Sequence, residues 1–192
     1  ADMFTITITG KGSHAAHPHH GADPILTGAE MVTAFQRVVS RSVNPTDAAV
    51  ISVTQFHAGT TMNVIPETVT IKGTCRALNP VVQDTIEARM NQIVTGIAQG
   101  HGLRATMDYG RRYPVLINTE EETAHSARAA IAVVGADNVS TDHPPTMGSE
   151  DFAWMLQERP GCYLRVGNGE GEDGGCVVHN SNYDFNDKAA VY

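Results

Sequence analysis

Cysteine is scarce in this sequence, with three residues in 192, Cys75, Cys162 and Cys176. An odd number without paired-motif spacing disfavours a disulfide-stapled scaffold and suits a reducing compartment, so a cytoplasmic protein is expected. Charge is thin as well, at 18% of residues, and Lys plus Arg number 13 against 21 Asp plus Glu, for a net charge of −8. Without a basic cluster, neither nucleic acid nor an anionic membrane surface is expected as the main partner. No apolar run approaches the roughly eighteen residues of a membrane span, and no secretory leader is legible. What is present is ordinary apolar content, 41%, enough for one or two buried cores and too much for disorder. The acidity is uneven: residues 1–110 carry 7 basic and 8 acidic side chains, residues 111–192 carry 6 and 13.

Periodicity then gives the order of elements. Phe4, Ile6 and Ile8 alternate with Thr5, Thr7 and Thr9, the period of a half-buried strand. Asp23 and Pro24 form a cap and first-turn pair for a helix to about Ser42, with Ile25, Leu26, Ala29, Val32, Phe35 and Val39 as its expected apolar stripe. Strands are expected over 49–56 and 69–77, the second alternating Val69, Ile71, Gly73, Cys75 and Ala77 against polar neighbours. Asn79 and Pro80 repeat the cap. Val82, Ile86, Met90, Ile93 and Ile97 mark a second helix, ended at Gly100 to Gly102, and a fourth strand follows over 103–109. The order strand, helix, strand, strand, helix, strand predicts an α+β split βαβ (ferredoxin-like) domain, a four-stranded antiparallel sheet with two helices on one face. Residues 1–110 are expected to form this domain.

Residues 111–192 read as an incomplete α/β segment. Thr119 is expected to cap an acidic first turn, Glu120 to Glu122, of an Ala-rich helix to about Val134; a short helix near 152–157, a strand over 162–166 and a glycine-rich loop over 167–175 follow. Residues 186–192 look like the first turns of a further helix. Both ends of the chain fall inside secondary structure, so a piece of a longer protein is expected.

Several nucleotide and nucleophile motifs fail on context. Gly10-Lys11-Gly12-Ser13 lacks P-loop spacing, Gly167, Gly169 and Gly171 do not open into a helix, and Gly148-Ser149-Glu150 lacks the glycine flanks of a nucleophile elbow. Four histidines, His14, His17, His19 and His20, crowd the loop between the first strand and first helix. From spacing alone a polar surface loop and a functional loop are about equally good readings, and a metal site made of these four imidazoles is the weaker functional choice. Asn63 lies in a loop before a strand. Arg76 falls on that strand's polar face, where it is a solvated residue unless another domain roofs it; a roofed Arg is a natural fork for a carboxylate. His179 is placed like a single metal ligand or base, and Cys176 with His179 lacks the second half of a zinc knuckle.

Four segments together, GKGSHAAHPHHGADPI, AGTTMNVIPE, MGSEDFAW and HNSNYDFND, resemble the aminoacylase and carboxypeptidase type of dinuclear metal amidohydrolase, in the branch that includes hippurate hydrolase and the plant auxin-conjugate hydrolases. The resemblance runs the length of the chain in order. It implies that residues 1–110 are the lid or dimerisation domain and 111–192 the C-terminal part of the catalytic domain. It implies further that His14 stabilises the oxyanion, commonly in the partner subunit's site, that Asn63 makes a second polar contact there and that Arg76 grips the substrate carboxylate. Gly148 and Ser149 then line the substrate pocket, and His179 is a metal ligand. The implied cofactors are two divalent ions, zinc or manganese; the implied partners are an N-acyl amino acid substrate and a second copy of the chain. The family's remaining ligands, a Cys-x-His pair, a further His and a Glu-Glu pair, are not in this sequence, so the chain alone is expected to be inactive. Two other readings stay open: a non-catalytic dimerisation module, and a metal carrier using His17, His19 and His20.

Overall fold

The computed structural model describes residues 1–171 and 174–192. Glu172 and Asp173, inside the glycine-rich loop expected over 167–175, lie outside the described residues. Two compact units result, one of residues 1–115 with 146–153, the other of residues 116–145 with 154–192.

In the first unit, β1 (Asp2–Thr9), β3 (Ala49–Ala58), β5 (Thr68–Ala77) and β6 (Arg104–Arg111) form one antiparallel sheet in the order β3-β5-β1-β6. The alternation in β1 explains its central place. Phe4, Ile6 and Ile8 are buried and stand opposite Gly73, Ile71 and Val69 of β5 and Tyr109, Met107 and Ala105 of β6. Helices α1 (Pro24–Arg41) and α2 (Pro80–Gly100) complete the split βαβ arrangement. Each starts as its sequence indicates: the Asp23 carboxylate accepts from the Ile25 and Leu26 N–H groups and the Asn79 side chain from the Val81 N–H, satisfying amides that have no helical partner. One apolar core joins the sheet to both helices through Phe35, Met31, Val38, Ile86, Met90 and Val94, with Phe35 edge-on to Phe4 at 6.1 Å between centroids.

The buried face of α1 differs from the expected stripe. Thr27, Gly28, Met31, Ala34, Phe35 and Val38 are buried, whereas Ile25 and Leu26 are exposed. Close packing decides this. A Cβ on Gly28 would come within 3.0 Å of the Phe56 ring, so the helix seats its smallest residue, and with it that face, where β3 approaches. A second unexpected feature is a two-stranded ribbon, β2 (Ser13–His14) with β4 (Val64–Ile65), too short to leave a periodic signal.

In the second unit, α3 (Glu120–Val134) forms as expected, but Thr119 does not cap it through its side chain. The Thr119 hydroxyl instead donates to the Glu122 carboxylate and accepts from the Gly161 N–H. The contact with Thr119 holds the Glu122 carboxyl below its usual range. The strand expected over 162–166 is not formed. The segment has no ladder partner among the described residues, and the Asn118 amide bonds the Tyr163 backbone on both sides (2.8 and 2.9 Å). Residues 154–158 of helix α4 (Phe152–Glu158) also fall in this unit, and the expected terminal helix is a 3-10 turn, Asp187–Val191, capped by the Asn186 side chain. Among the described residues no helix is long and apolar enough to cross a membrane.

Candidate functional site

Five of the sequence-derived site residues, His14, Asn63, Arg76, Gly148 and Ser149, belong to the sheet unit, and the ribbon brings two of them together. His14 pairs with Val64 across β2 and β4, and the Ala15 N–H donates to the Asn63 carbonyl at 3.0 Å. Residues 49 positions apart in sequence are thereby neighbours. The turn after His14 is closed by the His17 N–H donating to the His14 carbonyl at 2.8 Å. In the same turn the Ala16 N–H donates to His14 Nδ1 at 3.1 Å. Sequence reading gave no hint of this last contact, because its donor is backbone.

The other histidines of the loop cluster on His17, whose ring lies 5.6 Å from His14, 6.1 Å from His19 and 5.7 Å from His20, centroid to centroid. All four side chains are exposed. Their present orientations form no metal-holding group.

Arg76 sits near the opposite end of β5. Its half-buried guanidinium donates from Nη1 to Ser149 Oγ at 2.8 Å, within the same compact unit. Ser149 was expected to line the substrate pocket; here its hydroxyl contacts the expected carboxylate fork. Gly148 beside it is exposed. Sheet register gives the spacing between the two groups. Thr9 of β1 faces Thr68 and Asp2 faces Cys75, so the His14–Asn63 ribbon continues from the Thr68 end while Arg76 lies at the Ala77 end. Eight strand residues separate Thr68 from Arg76, about 26 Å at ~3.3 Å per residue. One copy therefore holds His14 and Asn63 together but not with Arg76.

His179 belongs to the second unit and is exposed. It is the one non-glycine with positive φ among the described residues, at 64°, a conformation uncommon for residues with a Cβ and often associated with functional positions. Among the described residues no three His, Cys, Asp or Glu side chains converge to hold an ion, so the groups present do not fit a dinuclear centre by themselves.

A buried polar cluster lies near Arg76 in the sheet. Asp2, 3% exposed, accepts from the Tyr109 hydroxyl at 2.7 Å and from Gln83 Nε2 at 2.8 and 3.0 Å. Burial pushes the Cys75 thiol up to about 12, opposed in part by the Tyr109 hydroxyl, and raises Tyr109 as well. These groups are structural: Asp2, Gln83 and Tyr109 bond to one another, and the Cys75 thiol donates to Met90 Sδ at 3.5 Å.

A split βαβ sheet with its His–Asn ribbon at one end and an Arg at the other defines the fold class, a two-layer α+β domain. Residues 1–101 match the peptidase dimerisation domain of the M20 family, and the chain belongs to that family. It is 32% identical over 188 residues to hippurate hydrolase of Campylobacter jejuni, covering 98% of this chain and 48% of that protein. It is 31% identical over 196 residues to the IAA-amino acid hydrolase ILR1-like 2 of Arabidopsis thaliana, covering 100% of this chain and 44% of that protein. Among solved structures, the YXEP protein of Bacillus subtilis, described as a dinuclear metal binding peptidase, superposes with a TM-score of 0.68 at 26% identity, covering 99% of this chain and 46% of the other. The chain thus spans about half the length of the curated relatives it matches.

Proposed function

We propose that this chain is the lid and the C-terminal catalytic segment of a metal-dependent amidohydrolase that cleaves N-acyl amino acids and works as a cytoplasmic homodimer. The observation that carries the reading is the ribbon that sets His14 beside Asn63, about 26 Å of strand away from Arg76. Relatives that hydrolyse hippurate and an auxin conjugate support the substrate class, an amide whose amine half carries a carboxylate. In this reading Arg76 forks that carboxylate, His14 donates to the oxyanion that develops on the scissile carbonyl, and Asn63 supplies a second polar contact beside it. In this reading His14 and Asn63 of one copy serve the site that contains Arg76 of the other, an arrangement that the separation along β5 supports.

The complete enzyme is proposed to hold two divalent ions, zinc or manganese, toward which this chain contributes the His179 imidazole. The likeness to a dinuclear metal binding peptidase supports that assignment, and each such ion needs about three protein ligands. Helix α3 buries none of its residues, and Trp154, Leu164, Val166, Val177, Val178 and Phe185 are exposed, an apolar surface suited to cover by further catalytic-domain polypeptide. Free thiols at Cys75, Cys162 and Cys176 suit a reducing compartment.

The test is hydrolysis of N-acyl amino acids by a full-length, metal-loaded form, with and without His14→Ala. Loss of an oxyanion donor is expected to lower kcat on the order of a hundredfold. Unchanged turnover would remove His14 from the reaction, and a stable dimer with neither affinity nor activity toward N-acyl amino acids would favour the non-catalytic dimerisation module instead.

A further inference from the structure

The geometry points to His14 acting as an Nε2–H tautomer, a neutral donor whose form is set by the backbone of its own turn; this rests on the oxyanion reading of His14 above. A neutral imidazole has one protonated and one bare nitrogen, and the hydrogen bond made by one fixes the state of the other. An amide N–H can only donate. The Ala16 N–H, 3.1 Å from Nδ1, therefore requires the lone pair at Nδ1 and leaves the ring proton on Nε2.

The turn that aims this donor is held from two sides. The His17 N–H closes it onto the His14 carbonyl at 2.8 Å, and the Ala15 N–H fastens it to the Asn63 carbonyl at 3.0 Å on the facing strand of the ribbon. Ala16 lies between these two anchored amides, so its N–H is oriented before any ligand arrives. A side chain capturing the N–H two residues on is the same local device that Asn and Asp use in turns. Here it spends the ring's inner nitrogen on the backbone and turns the outer one, with its proton, to solvent, where the His14 side chain is exposed. Preorganised donors stabilise a developing oxyanion without reorganising during the reaction, and a ring locked as Nε2–H meets that requirement with no proton to be taken up first.

Two measurements test this. Histidine-labelled protein is observed by long-range 1H–15N correlation of the imidazoles at pH 8, the His14 ring being assigned by the signals lost in His14→Gln. Nδ1 is expected in the bare, pyridine-like region and Nε2 in the protonated, pyrrole-like region; the reverse pattern overturns the inference. In a full-length form, His14→Gln places an amide N–H near Nε2 and His14→Asn places one near Nδ1. Glutamine is expected to retain about tenfold more kcat than asparagine, with alanine down on the order of a hundredfold. Asparagine equal to or better than glutamine overturns the inference while leaving the oxyanion role in place. Wild-type kcat in all three variants, with the Nε2–H signature intact, overturns the oxyanion role itself and with it any catalytic use of the tautomer.

Discussion

In the proposed enzyme, Arg76 is a single side chain already oriented before its ligand arrives. Of its five N–H donors, one on Nη1 is engaged by Ser149 Oγ, which leaves the Nε and Nη2 edge free for a bidentate carboxylate. In the proposed enzyme, Arg76→Ala removes charge-assisted hydrogen bonds worth about 1.5–3 kcal/mol, so KM for an N-acyl amino acid should rise roughly 10- to 150-fold. Ser149→Ala removes only the tether, a neutral contact of about 0.5–1.5 kcal/mol, and should raise KM about two- to tenfold with kcat little changed. Steady-state kinetics separates the two; an unaltered KM in Ser149→Ala would show that the tether does not orient the fork. The placement of Arg76 on the strand over 69–77 was legible in the sequence, and so was the location of His14 and Asn63 in loops that connect the larger elements. The Ser149 contact was not, since residues 73 positions apart are joined only by the fold. Cys75 gives a second prediction at this scale. Its thiol is 1% exposed and pushed up to about 12 from an ordinary 9.0, chiefly by burial. The folded state therefore favours the protonated form, so this contribution to stability is complete below pH 9 and is lost as pH rises between 9 and about 12. In the native protein at pH 8, iodoacetamide should modify the half-exposed Cys162 and Cys176 well before Cys75, with Cys75 labelled on unfolding. Equal labelling of all three would contradict the burial argument.

At the scale of elements, alternation and capping foretold the sheet and both helices of the first unit, because each strand has one wet face and each helix starts at an Asx–Pro pair. What alternation cannot give is depth. Gly73 reads as one more inward position of β5, yet a Cβ there would lie 2.2 Å from the Ser52 carbonyl oxygen of β3 and 2.4 Å from the Phe4 ring. The carbonyl belongs to a paired strand and cannot withdraw without breaking the ladder. Gly73→Ala should therefore destabilise by about 1–3 kcal/mol through overpacking, although alanine is otherwise the better residue for an ordered backbone. Chemical denaturation should show a lower midpoint at an unchanged m-value; a midpoint equal to the parent's would mean that β3 and β5 part more readily than their register indicates. The same limit explains the misplaced stripe of α1. Ile25 and Leu26 have the right period, but a helix seated through Gly28 against Phe56 turns them outward. The segment over 162–166 had a strand's composition and lacked only a partner strand, which no local pattern encodes.

For the whole molecule, the register of one sheet bears on the proposed homodimer. His14 and Asn63 leave from the Thr68 end of β5 and Arg76 from the Ala77 end, so in the proposed enzyme a site that uses all three draws on two chains. Exposed apolar residues of the sheet unit include Leu26 on the first helix, Phe56 on the edge strand β3, and Met62 and Val64 next to Asn63 in sequence. A surface of this kind suits burial between copies. The consequence can be measured without knowing the interface in detail. At substrate well below the parent KM, full-length His14→Ala and Arg76→Ala variants should each lose most of the activity as separate homodimers. After unfolding together and refolding as an equal mixture, half of the dimers should be mixed, and each mixed dimer should contain one site with an intact His14 and an intact Arg76 and one site with neither. Random pairing under two-fold symmetry then restores about a quarter of the wild-type sites, and about a quarter of the activity. A site built within one chain would recover nothing, because every chain in the mixture carries a lesion. Activity no higher than the mean of the two variants, in a mixture shown by mass spectrometry to contain mixed dimers, would therefore place all three side chains in one subunit and require a sheet unit that bends the ribbon back along β5 toward Arg76.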